Sequence, residues 1–144
     1  MIYLDSSVVS SLHYRDANTS AALALANGAR QPLLISSLAE METVNAFCLR
    51  VFRKQATLIN MQKAVRDLEA DIQSGVLGLH SLPDAAFLRA KVLAQTITPS
   101  IGVRSADLLH VAAALEMGAS TFYTFDTKQH KTARAAGLAV NALP

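Results

Sequence analysis

Short apolar runs alternate with helical periods along the whole chain, and the runs stop at acidic or hydroxyl side chains. Met1 to Leu4 ends in Asp5-Ser6-Ser7, Leu33-Leu34-Ile35 follows Pro32 and ends at Ser36-Ser37, and Ser120 to Phe125 stops at Asp126. Runs this short, bounded by cap and turn residues, read as strands. Leu77 to Leu82 and Leu138 to Val140 extend the series. Helical segments fill the intervals. One starts after Asp5, and a second, Ala17 to Ala26, is closed by Asn27-Gly28. From Leu38 to Lys54 the positions Met41, Val44, Cys48 and Val51 recur at steps of three and four, the mark of one face against a core. Leu58, Met61, Val65, Leu68 and Ile72 do the same in the next helix, which ends at Ser74-Gly75 and pairs with its predecessor. Pro83 opens a helix through about Gln95, and Thr98-Pro99-Ser100 with Gly102 reads as loop. Ser105 reads as the cap of a nearly all-apolar helix, Ala106 to Met117, and a last helix reaches Ala136. Strands alternating with helices predict an α/β chain, a three-layer α/β/α arrangement with a central parallel sheet of four to five strands covered on both faces.

At 144 residues, 51% of them hydrophobic, the chain suffices for one core, so residues 1–144 are read as a single domain. No run approaches the roughly 18 apolar residues of a membrane-spanning helix, and Asp5 stands where a secretory signal would be basic and then apolar. A cytoplasmic protein is expected. The single cysteine, Cys48, lies in an apolar helical pattern and reads as a small core residue rather than a nucleophile. A formal charge of +2 excludes a protein that coats nucleic acid non-specifically, so any such contact is local.

In an open parallel sheet, ligands bind beyond the carboxyl ends of the strands. Asp5 and Asp126 stand at such ends, Asp107 lies in the first turn of the apolar helix, and an acidic residue, Glu40 or Glu42, follows the second strand. Carboxylates gathered in one cleft repel one another unless a proton is shared or a cation neutralises them. With no His/Cys pair at zinc spacing, oxygen-only ligation suits Mg²⁺ or Mn²⁺, which retain waters and accept phosphate oxygens as ligands. Such an ion acidifies a bound water and offsets the charge that develops on a phosphodiester, so phosphodiester hydrolysis is the implied reaction. Each acid also has a plainer reading. Asp5 and Asp126 fit helix N-caps, and Asp107 fits the favourable end of a helix dipole.

Four motifs resemble those of the PIN-domain family, and within it the VapC toxins. Met1-Ile2-Tyr3-Leu4-Asp5-Ser6-Ser7 is similar to the family's opening strand and first acid. Ile35-Ser36-Ser37 followed by Glu42-Thr43-Val44-Asn45-Ala46 is similar to the second motif, and it selects Glu42 over Glu40. Arg104-Ser105-Ala106-Asp107-Leu108-Leu109-His110 resembles the third, and Tyr123-Thr124-Phe125-Asp126-Thr127 with Ala133 to Gly137 resembles the fourth. Ser6 stands where many relatives have Thr. The resemblance implies a metal-dependent endoribonuclease inhibited by a cognate antitoxin and often dimeric. Its catalytic acids would be Asp5, Glu42, Asp107 and Asp126, and its Mg²⁺ or Mn²⁺ ligands Asp5, Asp107 and Asp126. Ser6 and Thr124 would orient a carboxylate or a water.

His110 shares a helix face with Asp107, and a core histidine bonded to backbone is favoured over a proton relay. Lys128, Lys131 and Arg134 recur every third residue after Asp126, either holding RNA phosphates or forming a solvated face. Tyr14 and Arg15, after the first helix, stack on a base or simply border the core. A haloacid-dehalogenase phosphatase would need a second acid where Ser7 stands, and no nucleotide-binding glycine motif follows any strand. The rival from another class is a non-catalytic RNA- or protein-binding domain on the same fold. The apolar helices from Leu38 to Ile72 would either complete the core or receive an amphipathic segment of a partner.

Overall fold

β1 (Ile2–Leu4) has no exposed face: Ile2 and Leu4 pack into one apolar cluster and Tyr3 into another. A strand buried on both sides demands helices above and below it. The structure, a computed structural model that describes residues 1–144, supplies them in two layers. α1 (Ser6–His13), α2 (Thr19–Gly28), α3 (Ser37–Phe52) and α4 (Leu58–Gln73) cover the Ile2 and Leu4 face through Val9, Ala22, Phe47 and Leu68. α5 (Ala85–Ile101), α6 (Ser105–Glu116) and α7 (Thr127–Ala135) cover the Tyr3 face through Ala90, Val111 and Ala133.

Four strands flank β1 or extend its sheet: β2 (Leu33–Ser36), β3 (Gly78–His80), β4 (Thr121–Tyr123) and β5 (Ala139–Val140). All neighbours run parallel in the order β3-β2-β1-β4-β5, as the alternation of elements predicts. The order reverses at β1, where the chain crosses from β3 to β4. The crevice beyond the ends of β1 and β4 is therefore where such a sheet opens to a ligand.

Three expectations from sequence differ from what is found. α3 does not turn Met41 and Cys48 inward: both are exposed, and the buried row is Ala39, Thr43 and Phe47, one step round the helix. Small residues let α3 lie close to the sheet, and the Thr43 hydroxyl is satisfied by donating to the Ala39 carbonyl at 2.7 Å. α5 continues through Pro99 to Ile101 rather than breaking at Thr98. A proline in the last turn costs one intrahelical bond, that to the Gln95 carbonyl. Gly102, at φ +69°, then ends the helix by donating its N–H to the Thr98 carbonyl, a conformation that favours glycine. Arg104, not Ser105, takes the N-cap position of α6, and it makes no side-chain cap bond. No helix is long and apolar enough to cross a membrane.

The assignment of the α3 face is testable by urea denaturation. Phe47→Ala should cost about 3–5 kcal/mol as a buried aromatic, whereas Cys48→Ala should stay within about 0.5 kcal/mol of the parent chain. The reverse order would restore the face read from the sequence.

Candidate active site

Asp5 is the first residue past β1, and its carboxylate accepts four hydrogen bonds from the protein. Oδ1 caps α1, accepting from Ser7 N–H at 3.0 Å, Val8 N–H at 3.1 Å and the Ser7 hydroxyl at 2.6 Å. Oδ2 accepts from the Thr124 hydroxyl at 2.6 Å, which ties β1 to the end of β4. Asp5 is thus an N-cap as well as a candidate site residue. Ser7 and Thr124 each serve twice, since Ser7 Oγ accepts from Phe125 N–H at 2.9 Å and Thr124 Oγ1 from Asp126 N–H at 2.9 Å. Asn141, just beyond β5, clamps Thr124 by accepting from its N–H at 2.8 Å and donating to its carbonyl at 3.0 Å.

Glu42 projects from α3 over the carboxyl edge of the sheet. Its Oε2 accepts from the Ser6 hydroxyl at 2.8 Å and meets His110 Nε2 at 2.7 Å. Asp107, in the first turn of α6, accepts from Arg104 Nε at 3.1 Å and Gln129 Nε2 at 3.1 Å. Asp126 caps α7 by accepting from Gln129 N–H at 2.8 Å. All four acids line one cleft with Ser6, Ser7, Arg104 and Gln129. Glu40 does not line it.

Ser6 and Thr124 each orient a carboxylate, Glu42 and Asp5 respectively. His110 is buried, as expected, but its partners are the side chains of Tyr3 and Glu42 rather than backbone. Lys128, Lys131 and Arg134 are exposed on α7, and Lys128 donates to the Gly102 carbonyl at 3.2 Å. Tyr14 lies at the far end of α1 from Asp5 with the Arg50 guanidinium 4.5 Å above its ring, so it borders the core and stands apart from the cleft. Sequence reasoning missed Ser7, Arg104 and Gln129. Two of these carried a signal: Arg104 is three residues before Asp107, and Asp126 with Gln129 has the spacing of a capping box.

Burial pushes the Asp5 carboxyl above the usual carboxylate range, and the bonds from Ser7 and Thr124 only partly oppose this. Glu42 is held below that range, first by the hydrogen bond from His110, against a smaller effect of burial. The residues present fit a hard divalent cation. The donors open to the cleft are carboxylate oxygens, and Asp5 is a buried acid that a cation would keep ionised. Gln129 Oε1 is a buried acceptor with no partner, and the bond from Nε2 to Asp107 fixes which way the amide faces. No three of the acidic or imidazole side chains close on a single point. Asp107 is drawn towards Arg104 and Gln129, and Asp126 spends an oxygen on its helix, so an ion held partly through water suits this spacing better than a closed cage.

The family model for the PIN domain matches residues 2–135. No curated protein matches the chain in sequence. Among solved structures, VapC20 of Mycobacterium tuberculosis, described as a sarcin–ricin loop cleaving toxin, superposes with a TM-score of 0.72 at 20% identity over 100% of each chain. FitAcB of Neisseria gonorrhoeae gives 0.68 at 17% identity over 99% of this chain and 97% of that one. VapBC-1 of nontypeable Haemophilus influenzae gives 0.64 at 16% over 98% and 97%. At these identities the likeness shows the fold.

The raised Asp5 carboxyl has a consequence for stability in the absence of metal. Because its folded pKa exceeds the unfolded value of about 3.9, its contribution is full below that value and is lost as pH rises through the folded one. In EDTA, the stability of the parent chain relative to Asp5→Asn should fall as pH is raised from acid to neutral. A difference independent of pH would contradict this.

Proposed function

The chain belongs to the PIN-domain family, and from that premise we propose that it is a Mg²⁺- or Mn²⁺-dependent endoribonuclease, the toxin of a toxin–antitoxin pair. The observation that carries the reading is the convergence of Asp5, Glu42, Asp107 and Asp126 in one cleft at the reversal of strand order, with Arg104 as the single cation among the lining residues. A domain with no ion to hold would gain stability by losing some of these acids.

Asp5, Asp107 and Asp126 would hold the ion, with the Gln129 amide orienting Asp107. When bound, a divalent ion supplies Lewis acidity towards the attacking water and neutralises charge at the phosphodiester. The chain's own residues do the rest. Thr124 and Ser7 keep the Asp5 oxygens aimed, and Ser6 and His110 keep Glu42 ionised and directed into the cleft, where it can take up the proton released by the attacking water. Lys128, in the first turn of α7, is the best placed of the three basic residues to meet a flanking phosphate, and Lys131 and Arg134 lie further along the helix. The description of the Mycobacterium tuberculosis neighbour supports RNA as the substrate class.

Two exposed apolar faces support partners. On α3 and α4, Met41, Leu49, Phe52, Leu58 and Ile59 offer an amphipathic segment of an antitoxin a place to lie. On α5, in the opposite layer, Phe87, Leu88 and Val92 are free to meet a second copy of the chain, so a homodimer and an antitoxin would not compete.

The test is cleavage of total RNA by purified chain with Mg²⁺ or Mn²⁺, with EDTA, and with Asp5→Asn and Asp126→Asn. Cuts should require metal, and each substitution should reduce them by more than the about 10- to 100-fold expected for a supporting residue, while Cys48→Ser leaves them unchanged. A folded chain that neither binds metal nor cuts RNA would instead be a binding domain on this fold.

A further inference from the structure

The cleft's acids are each supported from close by, but Glu42 is also reached by a line of side chains that runs through the interior. Ser36 ends β2 and caps α3, its Oγ accepting from Ala39 N–H at 3.3 Å. That same Oγ is 2.7 Å from the Tyr3 hydroxyl. The Tyr3 oxygen is 2.9 Å from His110 Nδ1, and His110 Nε2 is 2.7 Å from Glu42 Oε2. Ser36, Tyr3 and His110 are each 0% exposed, so no water competes for any of these bonds.

Only one arrangement of protons satisfies every member. An ionised carboxylate only accepts, so His110 Nε2 carries a hydrogen and donates to Glu42. In the neutral ring Nδ1 then accepts, and the Tyr3 hydroxyl donates to it, which leaves the Tyr3 oxygen to accept from the Ser36 hydroxyl. Each hydrogen has an acceptor. With a protonated ring, Nδ1 would donate to Tyr3, Tyr3 to Ser36, and the Ser36 hydroxyl hydrogen would have no partner among these groups. Burial of an unpaired donor is costly, and the neutral ring with hydrogen on Nε2 is the arrangement that pairs every hydrogen along this line.

We propose that Tyr3 and His110 are positioning residues for Glu42, forming with Ser36 a directional buried strap that fixes the carboxylate over the cleft. This deepens the nuclease reading and rests on it for its catalytic consequence. His110 itself is sealed from the cleft and touches no substrate, so it acts through Glu42 alone. The strap also explains an otherwise odd feature of β1, a tyrosine in the innermost strand. Its ring stacks on Phe122 at 5.3 Å between centroids, as a phenylalanine would, and its hydroxyl exists for His110 and Ser36.

The experiment compares His110→Gln, His110→Leu and Tyr3→Phe for cleavage, melting temperature and order of the Glu42 side chain by ¹³C relaxation in metal-free protein. A positioning role predicts that His110→Gln, which keeps an N–H donor within reach of Glu42, retains most of the activity, while His110→Leu loses about 10- to 100-fold in kcat with little change in KM. Tyr3→Phe should fall between them. A residue that merely fills the core predicts the opposite order, since Leu is better tolerated there than a half-satisfied Gln. In a Glu42→Gln background the losses should vanish, whereas independent effects would add. Leu performing as well as the parent chain, or additive losses, would overturn the proposal. If the parent chain cuts no RNA, the nuclease reading fails by itself. The relaxation data still decide the strap: Glu42 should be ordered in the parent and mobile in His110→Leu, and equal order in both would reject it.

Discussion

The Asp5 carboxylate is the joint on which the cleft is built. Four hydrogen bonds converge on its two oxygens, and through them the end of β1, the first turn of α1 and the end of β4 are locked together. Removing a carboxylate from water is expensive, and hydrogen bonds recover part of that cost. The carboxyl is nonetheless raised, so burial outweighs them and the group still lacks positive charge. The protein thus assembles the geometry of the first acid completely while burial keeps its carboxyl raised, and on the proposed reading a cation there would add charge rather than shape.

The other acids are held from different elements across the cleft. Asp5 and Glu42 are held by the interior, through Thr124, Ser7, Ser6 and His110. Asp107 is buried too, and it accepts from the buried Gln129 amide as well as from Arg104, whose side chain is 77% exposed. The exposed pair with Arg104 adds little, so the buried Gln129 amide is what fixes Asp107. That division of partners accounts for four acids lining one cleft without three of them closing on a point. It also suits an ion that keeps waters and must accept substrate oxygens in their place.

The parts of this arrangement legible in the sequence were those fixed by chain direction. Strand–helix alternation forces a parallel sheet, and a parallel sheet puts the residue after each strand at one edge, so Asp5 and Asp126 could be located from their positions alone. What could not be read was set by packing between elements. On α3 the period of Met41, Val44, Cys48 and Val51 is genuine, but part of that row faces outward. The buried row of Ala39, Thr43 and Phe47 is disguised by a small and a hydroxylated residue. Two apolar-compatible faces on one helix cannot be ranked by periodicity. The partners of His110 were hidden for the same reason, since Tyr3 and Glu42 lie 107 and 68 positions away in the chain. Choosing Glu42 over Glu40 needed the family pattern, and only the strand order explains why the chosen one overhangs the cleft.

Net charge, too, misleads until it is divided by location. A formal +2 argues against broad affinity for nucleic acid, yet the cleft contains four acids and one arginine. Taking those five residues out of the total leaves the rest of the chain at +5, a basic exterior around an acidic centre. A polyanion approaching such a surface is attracted over a distance comparable to the Debye length, about 8 Å in physiological salt, and repelled at the cleft itself. A divalent cation reverses the second effect without altering the first. On the proposed nuclease reading, attraction of a phosphodiester backbone to the exterior and its approach to the acids would therefore be separable events, with a metal governing only the latter.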